Sequence, residues 1–257
     1  MLRSFIFAAL TFVLSGTAYA ASIGVNFTAT RFGGGPYPIL PHETAGLVPQ
    51  VNWNNSNPAG NGTTATIASP MPGKLVNNSG VDSGATIAWF NGNAEVNSDG
   101  GNTTPNERLY RGLAEGSAFM PPSPQLTVSM SNIPYAKYNV IAYLIGFGFD
   151  ADSSVKLGTQ EYYYIQSDNF TVDGFKKATA TTFATRTLAT YAIFENLTSS
   201  SFSMELIKRG GNRPGIGGLQ VVAVPEPASW VMLAAGTVAL TIIARRKRDT
   251  AGASAPA

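Results

Sequence analysis

The central part of this sequence predicts an all-β fold, a two-sheet β-sandwich of jelly-roll type, and three observations carry that prediction. Short runs of alternating and β-branched residues recur through residues 21–223. Clusters such as Gly33-Gly34-Gly35-Pro36, Asn77-Asn78-Ser79-Gly80, Asp99-Gly100-Gly101-Asn102 and Gly210-Gly211-Asn212 punctuate them as turns. No stretch there sustains the 3.6-residue apolar period that a helical or βαβ fold requires.

The expected strands, in order, are residues 23–27, 63–67, 85–90, 125–130, 138–145, 161–165, 169–172, 190–195, 201–207 and 219–223. Of these, 138–145 is the most informative. Asn139, Ile141, Tyr143 and Ile145 lie on one face, Val140, Ala142 and Leu144 on the other. A strand apolar on both sides belongs in the middle of a sheet that is covered on both sides.

The two ends of the chain read as addresses. Arg3, a mostly apolar run over residues 5–14, and the small-residue pair Ala18 and Ala20 are the three parts of a secretory signal peptide over residues 1–20. Its apolar run is too short to cross a bilayer at about 1.5 Å per residue. Sec machinery and signal peptidase are therefore the expected first partners, with cleavage after Ala20. At the other end, residues 228–244 carry no charge and are followed at once by Arg245-Arg246-Lys247-Arg248. That predicts a single transmembrane helix with the basic cluster held on the cytoplasmic side. Pro225-Glu226-Pro227 stands just outside it. Its prolines keep the backbone extended, and Glu226 resists entry into hydrocarbon. Residues 249–257 predict a disordered tail.

Pro225-Glu226-Pro227, a short apolar helix and a terminal Arg/Lys cluster, in that order, resemble the PEP-CTERM sorting signal of Gram-negative bacteria, here spanning 224–248. The resemblance implies recognition by the membrane peptidase exosortase, cleavage near the Pro-Glu-Pro, and a transient inner-membrane anchor. It further implies release to the cell surface or an exopolysaccharide or biofilm matrix. The chain departs from that pattern only in the length of its tail, residues 249–257. A second resemblance covers the central domain. Ser131-Asn132-Ile133-Pro134-Tyr135-Ala136-Lys137-Tyr138-Asn139-Val140 resembles the entry into a central strand of galactose-binding-like and malectin-like sandwiches, and Ile216-Gly217-Gly218-Leu219-Gln220-Val221-Val222 resembles their closing strand. That likeness implies the fold and a tendency to bind carbohydrate.

Composition then narrows the function. The 257 residues contain no cysteine, one histidine and 12% charged residues. Disulfides, thiolate metal sites and cysteine nucleophiles are thereby excluded. The formal charge of +2 belongs to the two addresses, because residues 21–224 hold one more acid than base. No basic stripe remains there for nucleic acid.

Sugar recognition in sandwiches uses exposed aromatic faces with amide and hydroxyl partners. Trp53, inside the Asn-rich segment 52–57, is the best single candidate. Tyr162 and Tyr164 share one face of their strand, with Tyr163 on the other. Either one or two of these tyrosines stack on a ligand, or all three are ordinary strand formers. Asp150, Asp152, Ser154 and Glu161 match calcium-loop positions 1, 3, 5 and 12, although Val155 replaces the glycine of position 6. Calcium is the one cofactor this spacing suggests, against a solvated polar turn. No catalytic residue is indicated: His42 has no Gly-x-Ser-x-Gly elbow, and the carboxylates form no recognisable signature. The sequence thus predicts a non-enzymatic exported surface or matrix protein. A carbohydrate-binding module is the first alternative and a secreted polysaccharide-active enzyme the second.

Overall fold

The computed structural model describes residues 20–28, 36–56, 67–69, 73–90, 92–96, 103–116, 126–146, 152–167, 169–211 and 213–225. Within them, strands dominate and helix is confined to two short α-helical pieces, α1 (Pro105–Leu109) and α2 (Phe170–Asp173), and one 3-10 turn at Phe183–Thr185. The larger sheet runs β12 (Tyr191–Leu197), β8 (Tyr138–Leu144), β14 (Gly215–Ala223), β1 (Ser22–Asn26), β2 (Asn54–Ser56) and β3 (Ile67–Ser69). Strand β6 (Gly112–Gly116) pairs with the start of β14, and β5 (Gly92–Val96) pairs with β6. The smaller sheet runs β11 (Thr187–Ala189), β10 (Gln160–Gln166), β9 (Asp152–Leu157), β13 (Phe202–Lys208), β7 (Leu126–Ser131) and β4 (Thr86–Phe90). Two sheets and almost no helix make the described fold the predicted all-β sandwich.

Alternation places one face of each sheet in a shared core. Ile23 and Val25 from β1, Val140, Ala142 and Leu144 from β8, and Leu219 and Val221 from β14 meet Leu126, Val128, Val155, Met204 and Leu206 from the smaller sheet. Each such side chain, fully buried, contributes about 1.5–3 kcal/mol of transfer free energy. The smaller sheet turns polar residues outward, including Ser129, Ser203 and Glu205.

The larger sheet does not face water on its other side. Ile141, Tyr143 and Ile145 join Trp53, Leu109, Tyr110, Leu113 and Phe170 in a second apolar cluster. The cover consists of segment 36–53, α1 and the α2 region. Tyr110 stacks on Phe170 with ring centroids 4.1 Å apart, and meets Tyr143 edge-on at 5.8 Å. This is the two-sided burial that residues 138–145 predict, and β8 lies between β12 and β14 as expected.

The covering segment has little regular structure, so its backbone groups need partners from side chains. Amides of the sheet supply them. The Tyr143 hydroxyl accepts from Leu47 N at 2.8 Å and donates to Gln220 Oε1 at 2.7 Å. Gln220 Nε2 donates to Val48 O at 2.7 Å and to Gln50 Oε1 at 2.8 Å. Asn54 bridges Gly24 O and the backbone of Val76, while Asn55 exchanges two hydrogen bonds with Ile39. Helix α1 is set by a capping box, in which Thr104 accepts from Glu107 N and Glu107 accepts from Thr104 N. Asn106 then receives Gly46 N at 2.8 Å, and Arg108 pairs with Glu43. Gly217 lets the end of α1 rest on β14, since a Cβ there would lie 2.3 Å from Leu109 O.

Two expectations fail locally. Residues 169–172 do not form a strand: the Asn169 side chain accepts from Val172 N at 3.3 Å and caps α2. Strands β2, β5, β6, β9 and β11 were not expected, and of the expected strand 63–67 only residue 67 is described.

Gly24 lies under the covering layer, where a Cβ would sit 2.4 Å from Gln50 Nε2 and 2.7 Å from Trp53 Cε3. Gly24→Ala is expected to destabilise the protein by about 1–3 kcal/mol through overpacking, measurable by urea unfolding.

Candidate functional site

At the sorting junction, β14 carries the chain out of the middle of the larger sheet. Ala223 N donates to Ala21 O at 2.8 Å, Val224 N donates to Lys137 O at 2.9 Å, and Pro225 is exposed. The folded domain therefore hands over to the Pro-Glu-Pro with no linker. Strand β1 begins beside this point, with Ser22 registered against Val222. Ala20 is half-buried, and Asn78 Nδ2 donates to its carbonyl at 3.4 Å. Both predicted addresses thus join one pole of the sandwich. Ala18, Glu226, Pro227, the apolar run 228–244 and the cluster Arg245, Arg246, Lys247 and Arg248 lie outside the described residues. Among the described residues no helix is long and apolar enough to cross a membrane.

The expected sugar platforms are corrected by burial. Trp53 is 0% exposed, with Nε1 donating to Gln50 O at 3.1 Å and its ring against Tyr143 at 6.0 Å. Its neighbours Asn54, Asn55 and Ser56 are buried as well, so residues 54–56 are a strand under a cover and no solvated loop. Tyr164 is also 0% exposed, and Tyr162 packs against the core with its ring 5.4 Å from Phe194. The register of β10 on β9 opposes Tyr162 to Val155 and Tyr164 to Ser153, which fixes both on the inner face.

The calcium-loop spacing is corrected too. Residues 152–161 form a β-hairpin, with β9 and β10 joined at Gly158, whose φ is +61°. Val155 and Leu157 are drawn into the core, so the chain runs extended where a cation loop would wrap. Asp152 binds Arg186 through both carboxylate oxygens, and its carbonyl accepts from Arg209 N and Gly210 N. Glu161 pairs with Arg209 and accepts from Ser154 Oγ at 2.6 Å. Asp150 lies outside the described residues. Among the described residues no three His, Asp or Glu side chains group to hold a metal.

What sequence reasoning missed is the face that Tyr163 occupies. Alternation opposite Tyr162 and Tyr164 puts it on the outer side of the smaller sheet, and its register partner there is Ser154. The Arg209 guanidinium lies 5.2 Å from the Tyr163 ring centroid, and the Phe183 ring meets Tyr163 edge-on at 6.3 Å. Phe183 is 41% exposed and is itself covered by Arg186 at 3.9 Å. The result is a surface ladder of two ion pairs and two aromatic rings. Burial by itself would raise the Glu161 carboxyl. Hydrogen bonds from Ser154 and Arg209 and the Arg209 charge outweigh it and hold the group below its ordinary 4.5.

Residues 223–248 match the family model of the PEP-CTERM protein-sorting motif. No curated protein matches the chain. Among solved structures, β-glucuronidase 2 of Bacteroides uniformis bound covalently to cyclophellitol-6-carboxylate aziridine is similar at 9% identity and a TM-score of 0.39. It covers 79% of this chain and 18% of its own. A β-glucuronidase of the same organism matches at 9% identity and a TM-score of 0.35, over 55% of this chain and 14% of its own. A calcium-binding mutant of β-glucuronidase 2 matches at 9% identity and 0.32, over 71% and 18%. This chain spans less than a fifth of the length of those enzymes, and at such TM-scores the likeness assigns no activity.

Two outcomes follow from the geometry. Trp53→Ala is expected to cost about 3–5 kcal/mol of stability in thermal or urea unfolding, as for a core aromatic. A carboxyl whose folded pKa is lowered stabilises the fold above its unfolded pKa, and the contribution disappears as pH falls through the folded value. Denaturation followed downward through pH 4.5 should therefore show a shallower loss of stability in Glu161→Gln than in the unsubstituted protein.

Proposed function

We propose that this chain is a non-enzymatic exported protein of the cell surface or extracellular matrix, associated with exopolysaccharide. The coarser part stands on the sorting motif itself: the chain carries the signal of an exosortase-sorted exported protein with a C-terminal membrane anchor. The observation that carries the proposal is that β14 ends at Ala223, where the matched motif begins. The signal is an exit from the core of the fold, so cleavage near Pro225-Glu226-Pro227 would free an intact sandwich.

On this reading the Sec machinery and signal peptidase act at Ala20, exosortase acts at the Pro-Glu-Pro, and the inner membrane holds the protein only between those events. The carboxylates support a structural role over acid–base chemistry. Asp152, Glu161, Glu43, Glu115 and Asp173 are each committed to an arginine or lysine, which favours a charge-neutral scaffold. A catalytic pair needs one carboxyl poised to give up a proton and another to take it.

Mass spectrometry of the exported protein from hosts with and without exosortase tests the sorting. The released form should end near residue 227, and the protein should stay membrane-bound without the peptidase. Recovery of residues 228–248 in the matrix form would defeat the proposal.

A further inference from the structure

The last backbone ties of the folded domain fall at the pole where β8 begins and β14 ends. Val224 N donates to Lys137 O at 2.9 Å, and Ala223 N donates to Ala21 O at 2.8 Å. Only residues 225–227 separate that point from the uncharged run 228–244. Fully extended, three residues reach no more than about 11 Å. The headgroup layer of one leaflet takes up about 5–8 Å of that distance. A chain anchored through 228–244 therefore cannot hold this pole more than about 6 Å clear of the lipid.

The surface around the exit fits such a neighbour. On the β1 side, Asn77 Oδ1 accepts from Ser79 N at 2.9 Å and from Val81 N at 3.2 Å, which tightens residues 77–81 into a turn. Asn78 N donates to Ser22 O at 2.8 Å and fastens that turn beside the start of β1. Val81 stands out from it, 59% exposed. On the β8 side, Pro134, Ala136 and Lys137 are exposed, and Ile133 N joins this segment to Ser200 O at 2.9 Å. Ser199, Ser200 and Ser201 are exposed there too. Lys137 forms no ion pair among the described residues, whereas Asp82, next to Val81, is matched by Lys74. Glu195 is exposed as well, but it belongs to β12, two strands from the exit. An apolar tip, small hydroxyls and a cation beside the exit complement lipid headgroups, whose phosphates are anionic.

We propose that the anchored protein docks this pole on the lipid headgroups of its membrane and is held there by the short junction. Lys137 faces lipid phosphate, and Val81 enters the headgroup layer. This rests on the C-terminal anchor and adds to it an orientation and a contact surface.

The test uses the membrane-anchored protein from a host without exosortase, reconstituted in vesicles of phosphatidylethanolamine and phosphatidylglycerol. A lipid with a nitroxide on its headgroup serves as quencher. The chain has no cysteine, so Val81→Cys and Val172→Cys each carry a single fluorophore. Val172, 79% exposed on α2, marks the opposite pole, where Gly146 N, beyond the end of β8, donates to Ser167 O. The nine residues of β14 set the two poles about 26 Å apart. The quencher should dim the Val81 probe several-fold more strongly than the Val172 probe. A Gly/Ser spacer of about twelve residues between Val224 and Pro225, reaching roughly 20 Å, should remove that difference. Equal quenching at both positions, stronger quenching at Val172, or an undiminished difference in the spacer variant would each overturn the docking while the anchor stands. Protein that does not float with the vesicles would overturn the anchor and the docking together.

Discussion

Strands β8 and β14 are buried on both faces, and that single constraint organises most of what surrounds them. Val140, Ala142 and Leu144 need the smaller sheet, while Ile141, Tyr143 and Ile145 need something else. A second sheet on that side would be one solution; here irregular chain and two short helices do it instead. Irregular chain brings unpaired peptide groups into an apolar layer, where each would be costly. Gln220, Asn54, Asn55 and Tyr143 resolve the conflict by presenting amides and a hydroxyl from the sheet to the backbone lying on it. The same network fixes where the cover can lie, since Asn55 is matched to the backbone of Ile39, and Gln220 and Tyr143 to that of Val48 and Leu47.

This explains which features were legible in the sequence and which were not. The two-sided burial of 138–145 was legible because it depends on residue type at each position and on nothing distant. The C-terminal sorting signal was legible for the same reason: a charge pattern, an apolar length and two prolines are local facts. Trp53 was misread because asparagines beside it suggest solvent, and Asn54 and Asn55 bond to backbone contributed by residues 24, 39 and 76, which no local window contains. Strand β9 was hidden by the polar residues of its outer face, Asp152, Ser154 and Lys156, with Val155 and Leu157 the inward half of the pattern. The alternation of Tyr162, Tyr163 and Tyr164 was correct, but alternation alone does not say which set faces in. That depends on pairing with β9, and only the observed register decides it. Helix α2 did leave a trace, an asparagine at its start and Gly174 at its end, outweighed by the β-branched residues between them.

The outer face of the smaller sheet follows a different logic. It is exposed, so its charges are arranged in pairs across neighbouring strands and connecting segments, Arg186 with Asp152 and Arg209 with Glu161. Pairs of this exposure contribute little to stability one at a time. They do leave the acidic charges of β9 and β10 on this face matched, with Arg186 lying over the exposed Phe183 ring.

The exit of β14 also has a mechanical meaning. A tug at Pro225 from a C-terminal membrane anchor is delivered along the axis of a strand with neighbours on both flanks, β8 and β1. Antiparallel ladder bonds lie across such a pull. They share the load and must rupture together, whereas an edge strand peeled from one end would lose them one after another. Placing the tether on an inner strand makes the sandwich a clamp under tension.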